Sequence, residues 1–186
     1  MRSIYILLTK STTICSKVVY MATRSEFTHA AISLNGNFDE LYTFSRKYKR
    51  IILPAGFVTE SIFDGIMGDS DNMDCAVYEV RTSKSCYRKL ERILSHMENN
   101  KDKYRYSIMG LPMCHFNKKY DRKGKMFCSQ FVYYALSKSG AVRKDAEPCL
   151  VKPMDLSRLP EAKEIFRGNI KDLRSGCLNQ SIAAVQ

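Results

Sequence analysis

Cys128 is the residue of this chain whose local sequence best suits nucleophilic chemistry. It lies near the start of a run with apolar residues at helical spacing, between Gly124, which breaks the chain, and Gly140, which can end a helix. The apolar positions of this run are Phe127, Phe131, Val132, Ala135 and Leu136. A cysteine in the first turn of a helix lies beside free backbone N–H groups and the positive end of the helix dipole, which favour a thiolate and can hold an oxyanion. The alternative interpretation is a small buried hydrophobic residue.

A nucleophilic cysteine needs a base, and the best candidate is His29. This histidine precedes the apolar run at residues 30–34, which is followed by Asn35-Gly36 and by a second run of strand-forming residues at 37–45. Asn-Gly between two such runs is a strong signal for a short β-hairpin. The pattern therefore predicts that His29 begins the first strand of a hairpin.

These two motifs together resemble the circularly permuted NlpC-like cysteine peptidase superfamily. The resemblance rests on Thr28-His29 before a short apolar strand, the Asn-Gly turn with its second strand, and Phe-Cys-Ser-Gln-Phe-Val opening a helix about a hundred residues later. The YiiX-like and lecithin:retinol acyltransferase-like branches also place the histidine before the cysteine. The resemblance covers residues 3–140 and implies a permuted papain-like fold that acts on amide, thioester or ester bonds. Cys128 would be the nucleophile and His29 the base and then the acid of an acyl-enzyme mechanism.

The resemblance also implies a third catalytic residue on the strand after the hairpin turn, where relatives carry Glu, His, Asn or Gln. Counting from His29 leads to Leu41, Tyr42 or Thr43, none of which is an acid or an amide. Glu40 has suitable chemistry but comes early. We assign Thr43 as the third residue and expect that no carboxylate contributes much to stabilising the His29 imidazolium. The alternative is that a backbone carbonyl orients the imidazole.

Two further residues are candidates for supporting roles at the site. Tyr106, in the tyrosine-rich segment before Cys128, is assigned to substrate binding or to the oxyanion hole. His115 is the second choice as base, whereas His96 falls on a predicted surface helix. Gln130 is interpreted as structural.

We expect neither a cofactor nor a metal ion. Cys114-His115 with Cys128 lacks the paired spacing of zinc sites. The acidic residues at 69, 71 and 74 lack the glycine and terminal glutamate of a calcium-binding EF-hand loop.

Charge and cysteine content limit the partners and the compartment. The net charge of +11 favours anionic partners, but no nucleic-acid recognition module is present, so a specific nucleic-acid partner is not expected. Peripheral contact with a membrane or another anionic surface remains compatible with this charge. Seven cysteines without regular spacing, and no leader or membrane span in the sequence, predict free thiols in a reducing, cytoplasmic location.

The overall pattern predicts an α+β fold in one domain, residues 1–176, with residues 177–186 as a flexible tail. The expected antiparallel sheet has strands at residues 3–9, 29–46 and 74–81, and the Cys128 helix packs on it. The other expected elements are helices at 14–22, 83–99 and 155–166, an extended segment at 51–58, and long loops at 60–73 and 101–125.

Two functional classes follow. The first is a thiol hydrolase or acyltransferase for a peptide-like or acyl substrate, such as a cell-wall peptide or a lipid-derived acyl group. The second is a catalytically weak or inactive member that binds a cell-wall peptide or an anionic surface, which the lack of a strong third residue favours. The sequence does not choose an oligomeric state.

Overall fold

The structure is a computed structural model of the chain, and it describes residues 1–10, 25–46, 55–70 and 72–176. The predicted helix at residues 14–22 and the predicted tail at 177–186 lie outside the described residues.

Eight strands and six α-helices in these ranges confirm the α+β class. The strands are β1 (Arg2–Thr9), β2 (His29–Ser33), β3 (Leu41–Arg46), β4 (Ala55–Glu60), β5 (Asp74–Thr82), β6 (Arg105–Tyr106), β7 (Lys125–Met126) and β8 (Ala162–Asn169). The helices are α1 (Gly65–Gly68), α2 (Lys84–Asn99), α3 (Gly110–His115), α4 (Cys128–Ser139), α5 (Pro153–Leu156) and α6 (Ile170–Arg174).

All eight strands form one sheet in the order β7-β6-β4-β3-β2-β1-β5-β8. The expected sheet was wholly antiparallel, but β6 and β7 pair in parallel, so the sheet is mixed. The physical reason is the long connection between these two strands, which contains α3 and is long enough for the crossover that parallel pairing needs. The expected long loop at residues 101–125 is therefore wrong in part, because it contributes both of these short strands.

Strand β1 lies inside the sheet, between β2 and β5, and both of its faces are buried. Ile4, Ile6 and Leu8 face a core formed with α2 and α4, whereas Tyr5 and Leu7 face a second core on the opposite side. Successive side chains of a strand point to opposite faces. Burial of both faces explains why the sequence of β1 is continuously apolar rather than alternating.

The helix predicted at residues 83–99 is confirmed as α2. The Ser83 side chain accepts a hydrogen bond from the backbone N–H of Cys86 at 3.1 Å and so caps the helix start. Leu90, Leu94 and Met97 are buried against the sheet, as their helical spacing predicts.

The hairpin formed by β2 and β3 differs from the predicted tight Asn-Gly turn. The two strands pair antiparallel, but seven residues, 34–40, connect them. Phe38 is 1% exposed, and its ring packs edge-on against Tyr5 with the ring centroids 5.7 Å apart. With this ring buried, Phe38 has a left-handed backbone with φ of 56°, and the second strand begins only at Leu41.

The helix predicted at residues 155–166 is also wrong. A single helical turn, α5, ends at Leu156, and the chain then forms the edge strand β8 beside β5. Pro160 lies between the two elements and cannot continue a helix. Pairing with β8 satisfies the backbone groups at the outer edge of β5, which a helix there would leave exposed.

Residues 60–70 and 72–73 form mostly irregular structure around the one-turn helix α1, close to the expected loop with a helical turn. The five cysteines within the described ranges, Cys75, Cys86, Cys114, Cys128 and Cys149, are free thiols. None of the helices described here has both the length and the apolar character that a membrane span requires.

Candidate active site

Cys128 is the first residue of α4, and the local sequence fixes the start of this helix. Phe127 has an extended backbone, and its N–H donates to the Gln130 side-chain oxygen at 3.4 Å. Gly140 ends the helix in a left-handed conformation with φ of 83°. The first hydrogen bond of the helix joins Phe131 N–H to the Phe127 carbonyl, so the N–H groups of the first turn have no acceptor within the helix.

Side-chain contacts hold this end of α4 in place. Ser129 is completely buried, and its hydroxyl donates to the Val151 carbonyl at 2.8 Å. The Gln130 amide donates to the Asp121 carboxylate at 3.2 Å, so it has the structural role predicted for it. These contacts tie the helix start to two separate loops. The position of Cys128, which is 3% exposed, is therefore well determined by its neighbours.

His29 is the first residue of β2 and lies on a central strand of the sheet. Its partner on β1 is Thr9, whose carbonyl accepts a hydrogen bond from Thr28 N–H at 3.0 Å. Phe27, two residues before His29, is completely buried, and the Arg167 guanidinium lies 5.3 Å from the centre of its ring. The hydrogen bond of Thr28 and the packing of Phe27 thus fix the start of β2, which carries the imidazole.

Arg167 anchors the chain segment that leads into His29. Besides covering the Phe27 ring, it pairs with the Glu26 carboxylate and donates to the Tyr78 hydroxyl at 3.0 Å. Arg167 belongs to β8, at the far edge of the sheet. The last strand of the sheet therefore holds the segment before the histidine.

A carboxylate lies beside His29, contrary to the expectation from the sequence. The Nε2 atom of His29 is 3.3 Å from the Oε2 atom of Glu60, the last residue of β4. The two side chains are 15% and 22% exposed, so water screens this pair only in part. The prediction that His29 gains little from a carboxylate is wrong, because β4 brings a distant glutamate across β3 to the histidine.

The charges at the site favour the imidazolium form of His29. Burial alone would lower the pKa of His29, but hydrogen bonds to Cys128 and Glu60, together with the charges of both groups, raise it to about 10. Burial also opposes ionisation of Glu60, yet the hydrogen bond and the charge of His29 hold the pKa of this carboxyl below its usual value. A thiol, an imidazole and a carboxylate are therefore in one connected group.

Thr43, the third residue assigned from the sequence, lies at the site but is secondary to Glu60. Its Oγ1 atom is 3.5 Å from His29 Nε2, at the limit of a hydrogen bond, and its hydroxyl donates to the Ala30 carbonyl at 2.7 Å. Because the hydroxyl hydrogen is used there, Thr43 can only accept from the imidazole. The earlier alternative Glu40 instead accepts from the Tyr42 hydroxyl at 3.2 Å.

Glu60 was missed because the predicted extended segment ended at residue 58, which left residue 60 in a predicted loop. The structure continues this segment as β4, which pairs with β3 with Thr43 opposite Val58 and Leu41 opposite Glu60. Extending the strand prediction by two residues would have placed Glu60 on a strand. The sequence allowed that extension, but it did not show that this strand lies next to the strand of Thr43.

Of the remaining candidates, only Tyr106 is placed beside the chain segment of this group by the contacts of the described residues. Tyr106 is partly buried and pairs with Met126, two residues before Cys128, so its backbone lies beside the strand that leads to the thiol. His115 is in α3, with its ring 5.2 Å from that of Phe116, and His96 is exposed on α2.

The other buried thiols differ from Cys128 in their surroundings. Burial raises the pKa of the Cys114 thiol to about 11 and that of Cys75 to about 12, so both stay protonated near neutral pH. Cys128 instead interacts with the His29 imidazole and helps to raise the pKa of that ring. Across the described ranges, no three His, Cys, Asp or Glu side chains converge to hold a metal ion.

An open groove of about 560 Å³ reaches Glu60 from the surface. Its walls come from β4, from α1 with the residues before it, and from the end of α2. The charged residues that line it are Asp39, Arg46, Glu60, Asp64, Glu98 and Lys101. Its volume is in the range of small-ligand sites.

No protein-family model matches the chain, and no curated protein matches it. What this protein does must therefore be inferred from the chemistry of Cys128, His29 and Glu60.

Proposed function

We propose that the protein is a thiol-dependent hydrolase that cleaves an amide, thioester or ester bond through an acyl-enzyme on Cys128. The observation that supports this most strongly is the position of His29, whose Nε2 lies 3.3 Å from the Glu60 carboxylate and whose pKa is raised by both Cys128 and Glu60. A nucleophile, a base and a group that orients the base are the requirements of nucleophilic catalysis.

In the acylation step, the Cys128 thiolate attacks the substrate carbonyl carbon, and the carbonyl oxygen becomes an oxyanion. The N–H groups at the start of α4, which have no acceptor within the helix, are suitable donors to that oxyanion. The His29 imidazolium gives its proton to the leaving group as the bond breaks. The product is a thioester between Cys128 and the acyl group.

In the deacylation step, neutral His29 takes a proton from water, and the resulting hydroxide attacks the thioester. The carbonyl re-forms, the Cys128 sulfur leaves as a thiolate, and the carboxylic acid product departs. A second nucleophile in place of water would give acyl transfer by the same steps.

Glu60 is assigned the role of the third residue. Its carboxylate lies beside Nε2, so we assign the proton exchange with the Cys128 sulfur to Nδ1 of the imidazole. An anion at this position stabilises the imidazolium and fixes the ring orientation. Thr43 supports the same nitrogen more weakly, since its hydroxyl hydrogen is directed to Ala30.

This assignment also bears on the fold family. A histidine on a central strand, followed by a cysteine at a helix start, is the chain order of the permuted papain-like proteins, and we propose that the chain has that fold. We propose that the substrate, peptide-like or acyl, reaches Cys128 and extends into the groove beside Glu60, whose lining includes neither Cys128 nor His29. A reducing location such as the cytoplasm suits an enzyme whose thiolate must stay unoxidised. The alternative of an inactive binding module rested on the lack of a strong third residue, and Glu60 removes that support.

The test is site-by-site alkylation with iodoacetamide, followed by mass spectrometry. Cys86 is the matched control because it is more exposed than Cys128 and lacks the imidazole partner. We expect Cys128 to react faster than Cys86 near neutral pH despite its burial, and His29→Asn to remove this advantage. Hydrolysis of activated esters should be lost in Cys128→Ala and retained in Cys86→Ala. Equal alkylation rates at the two cysteines in the wild type would show that Cys128 is not an activated nucleophile.

A further inference from the structure

Three large apolar side chains are exposed close together, at the two ends of α3. Ile108 and Met109 are each 54% exposed, and Phe116 is 69% exposed. We call these three residues the apolar patch. Exposed apolar groups that cluster in this way mark interaction sites more often than isolated ones do.

The chain around the apolar patch is strongly basic. Residues 101–125 contain eight lysines and arginines and two aspartates, a net charge of +6 of the +11 of the whole chain. Arg105, Lys118, Arg122, Lys123 and Lys125 are exposed. Exposed cationic residues thus flank the apolar patch on both sides along the chain.

The helix that separates the patch residues packs beside the segment that carries the thiol. Gly110, at the start of α3, packs so closely that a Cβ atom there would be 3.1 Å from the Phe127 ring and 2.6 Å from the Ser107 hydroxyl. Phe127 directly precedes Cys128. The start of α3, which carries Ile108 and Met109 just before it, is therefore packed against the residue that precedes the thiol.

We propose that the apolar patch and its basic surroundings dock on an anionic membrane surface. A lipid bilayer offers negative headgroups directly above an apolar layer, which matches exposed apolar side chains surrounded by lysines and arginines. A nucleic acid offers the charge but no apolar layer for Ile108 and Met109. Docking requires no chemistry at Cys128, so it stands or falls independently of the proposed hydrolase activity.

Binding is measured with the Cys128→Ala protein, by sedimentation with vesicles of phosphatidylcholine alone and with vesicles in which a third of the lipid is phosphatidylserine. We expect binding to the second vesicles only, and weaker binding as salt is added. The Lys118→Glu/Lys123→Glu variant should lose at least about 25-fold in partitioning, since each basic residue near such a surface contributes roughly fivefold. The matched control Lys84→Glu/Lys89→Glu, on α2, should lose much less.

The apolar contribution is tested separately. Replacing all three patch residues by serine should reduce partitioning by about tenfold or more, because their burial in the interface is lost. Phe63→Ser is the matched control, since Phe63 is 52% exposed elsewhere on the surface. The chain has no tryptophan, so Phe116→Trp and Phe63→Trp each add a single fluorescent reporter. Only the reporter at position 116 should shift to the blue with anionic vesicles.

Three outcomes would overturn the proposal. The first is equal binding to both kinds of vesicle, and the second is unchanged binding after the three serine substitutions. The third is displacement from vesicles by soluble polyglutamate at the same concentrations for the wild type and the serine variant, which would show that the apolar patch adds nothing to binding.

Discussion

Glu60→Gln is the substitution that tests the site most directly. It removes a negative charge 3.3 Å from His29 Nε2 but keeps an oxygen that can accept the same hydrogen bond. The imidazolium loses its neighbouring anion, so the pKa of His29 must fall. Two unit charges at this separation interact by about 1 kcal/mol in bulk water and by about 5 kcal/mol at an effective dielectric constant of about 20. The expected decrease is therefore about one to four pKa units.

The assay is an NMR titration of the histidine rings. The chain has three histidines, so His29→Asn suffices to identify the signal of His29. In the wild type this ring should titrate far above its ordinary value, and in Glu60→Gln at a clearly lower pH. Alkylation of Cys128 should also slow in this variant, because a less stable imidazolium supports less thiolate.

Glu40→Gln is the matched control. It makes the same chemical change at the residue before β3. Glu40 accepts a hydrogen bond from the Tyr42 hydroxyl and does not contact His29. The titration of His29 should be the same as in the wild type. If Glu60→Gln leaves His29 unchanged in a folded protein, or if both variants shift it equally, Glu60 does not hold the imidazolium.

The remaining predictions concern stability. Thr43→Val should lower the free energy of unfolding by about 1–3 kcal/mol, because the buried Ala30 carbonyl loses its donor, and urea denaturation measures this loss. The pKa of His29 should stay nearly constant in the NMR titration. A large change in that pKa would show that Thr43, and not Glu60, is the principal partner of His29. The stability difference between the wild type and Glu60→Gln should be largest between about pH 4.5 and 6.5, where both groups are charged even in the unfolded chain. It should decline as pH rises towards 10 and His29 loses its proton, and also as pH falls below 4.5 and Glu60 gains one; a difference independent of pH would contradict the ion pair.

The elements predicted best from the sequence are those specified by neighbouring residues. Helix α2 has its apolar spacing and its serine cap within one stretch, and the glycine at position 140 ends α4 where the pattern indicated. Strand β1 was predictable from its unbroken apolar run. His29 and Cys128 were found because each comes at the start of such an element.

The features that were missed depend on contacts between distant parts of the chain. Glu60 reaches His29 only because β3 and β4 pair in one particular register, which local sequence does not encode. The turn after β2 lengthened because Phe38 has a place in the core beside Tyr5. Strand β8 formed because β5 has a free edge, so tertiary pairing overrode a local pattern that favoured a helix.

The contact of Arg167 with the segment before His29 has a consequence for biosynthesis. Arg167 follows Glu26 by 141 residues in the chain, so β8 leaves the ribosome well after Glu26 and Phe27. Pairings between such distant segments form late during folding, because a long loop must close first. The nascent chain therefore lacks the β8 contacts with the segment before its histidine until β8 itself has been synthesised. A protein truncated before residue 162 would carry both His29 and Cys128 but not the arginine that anchors the histidine segment.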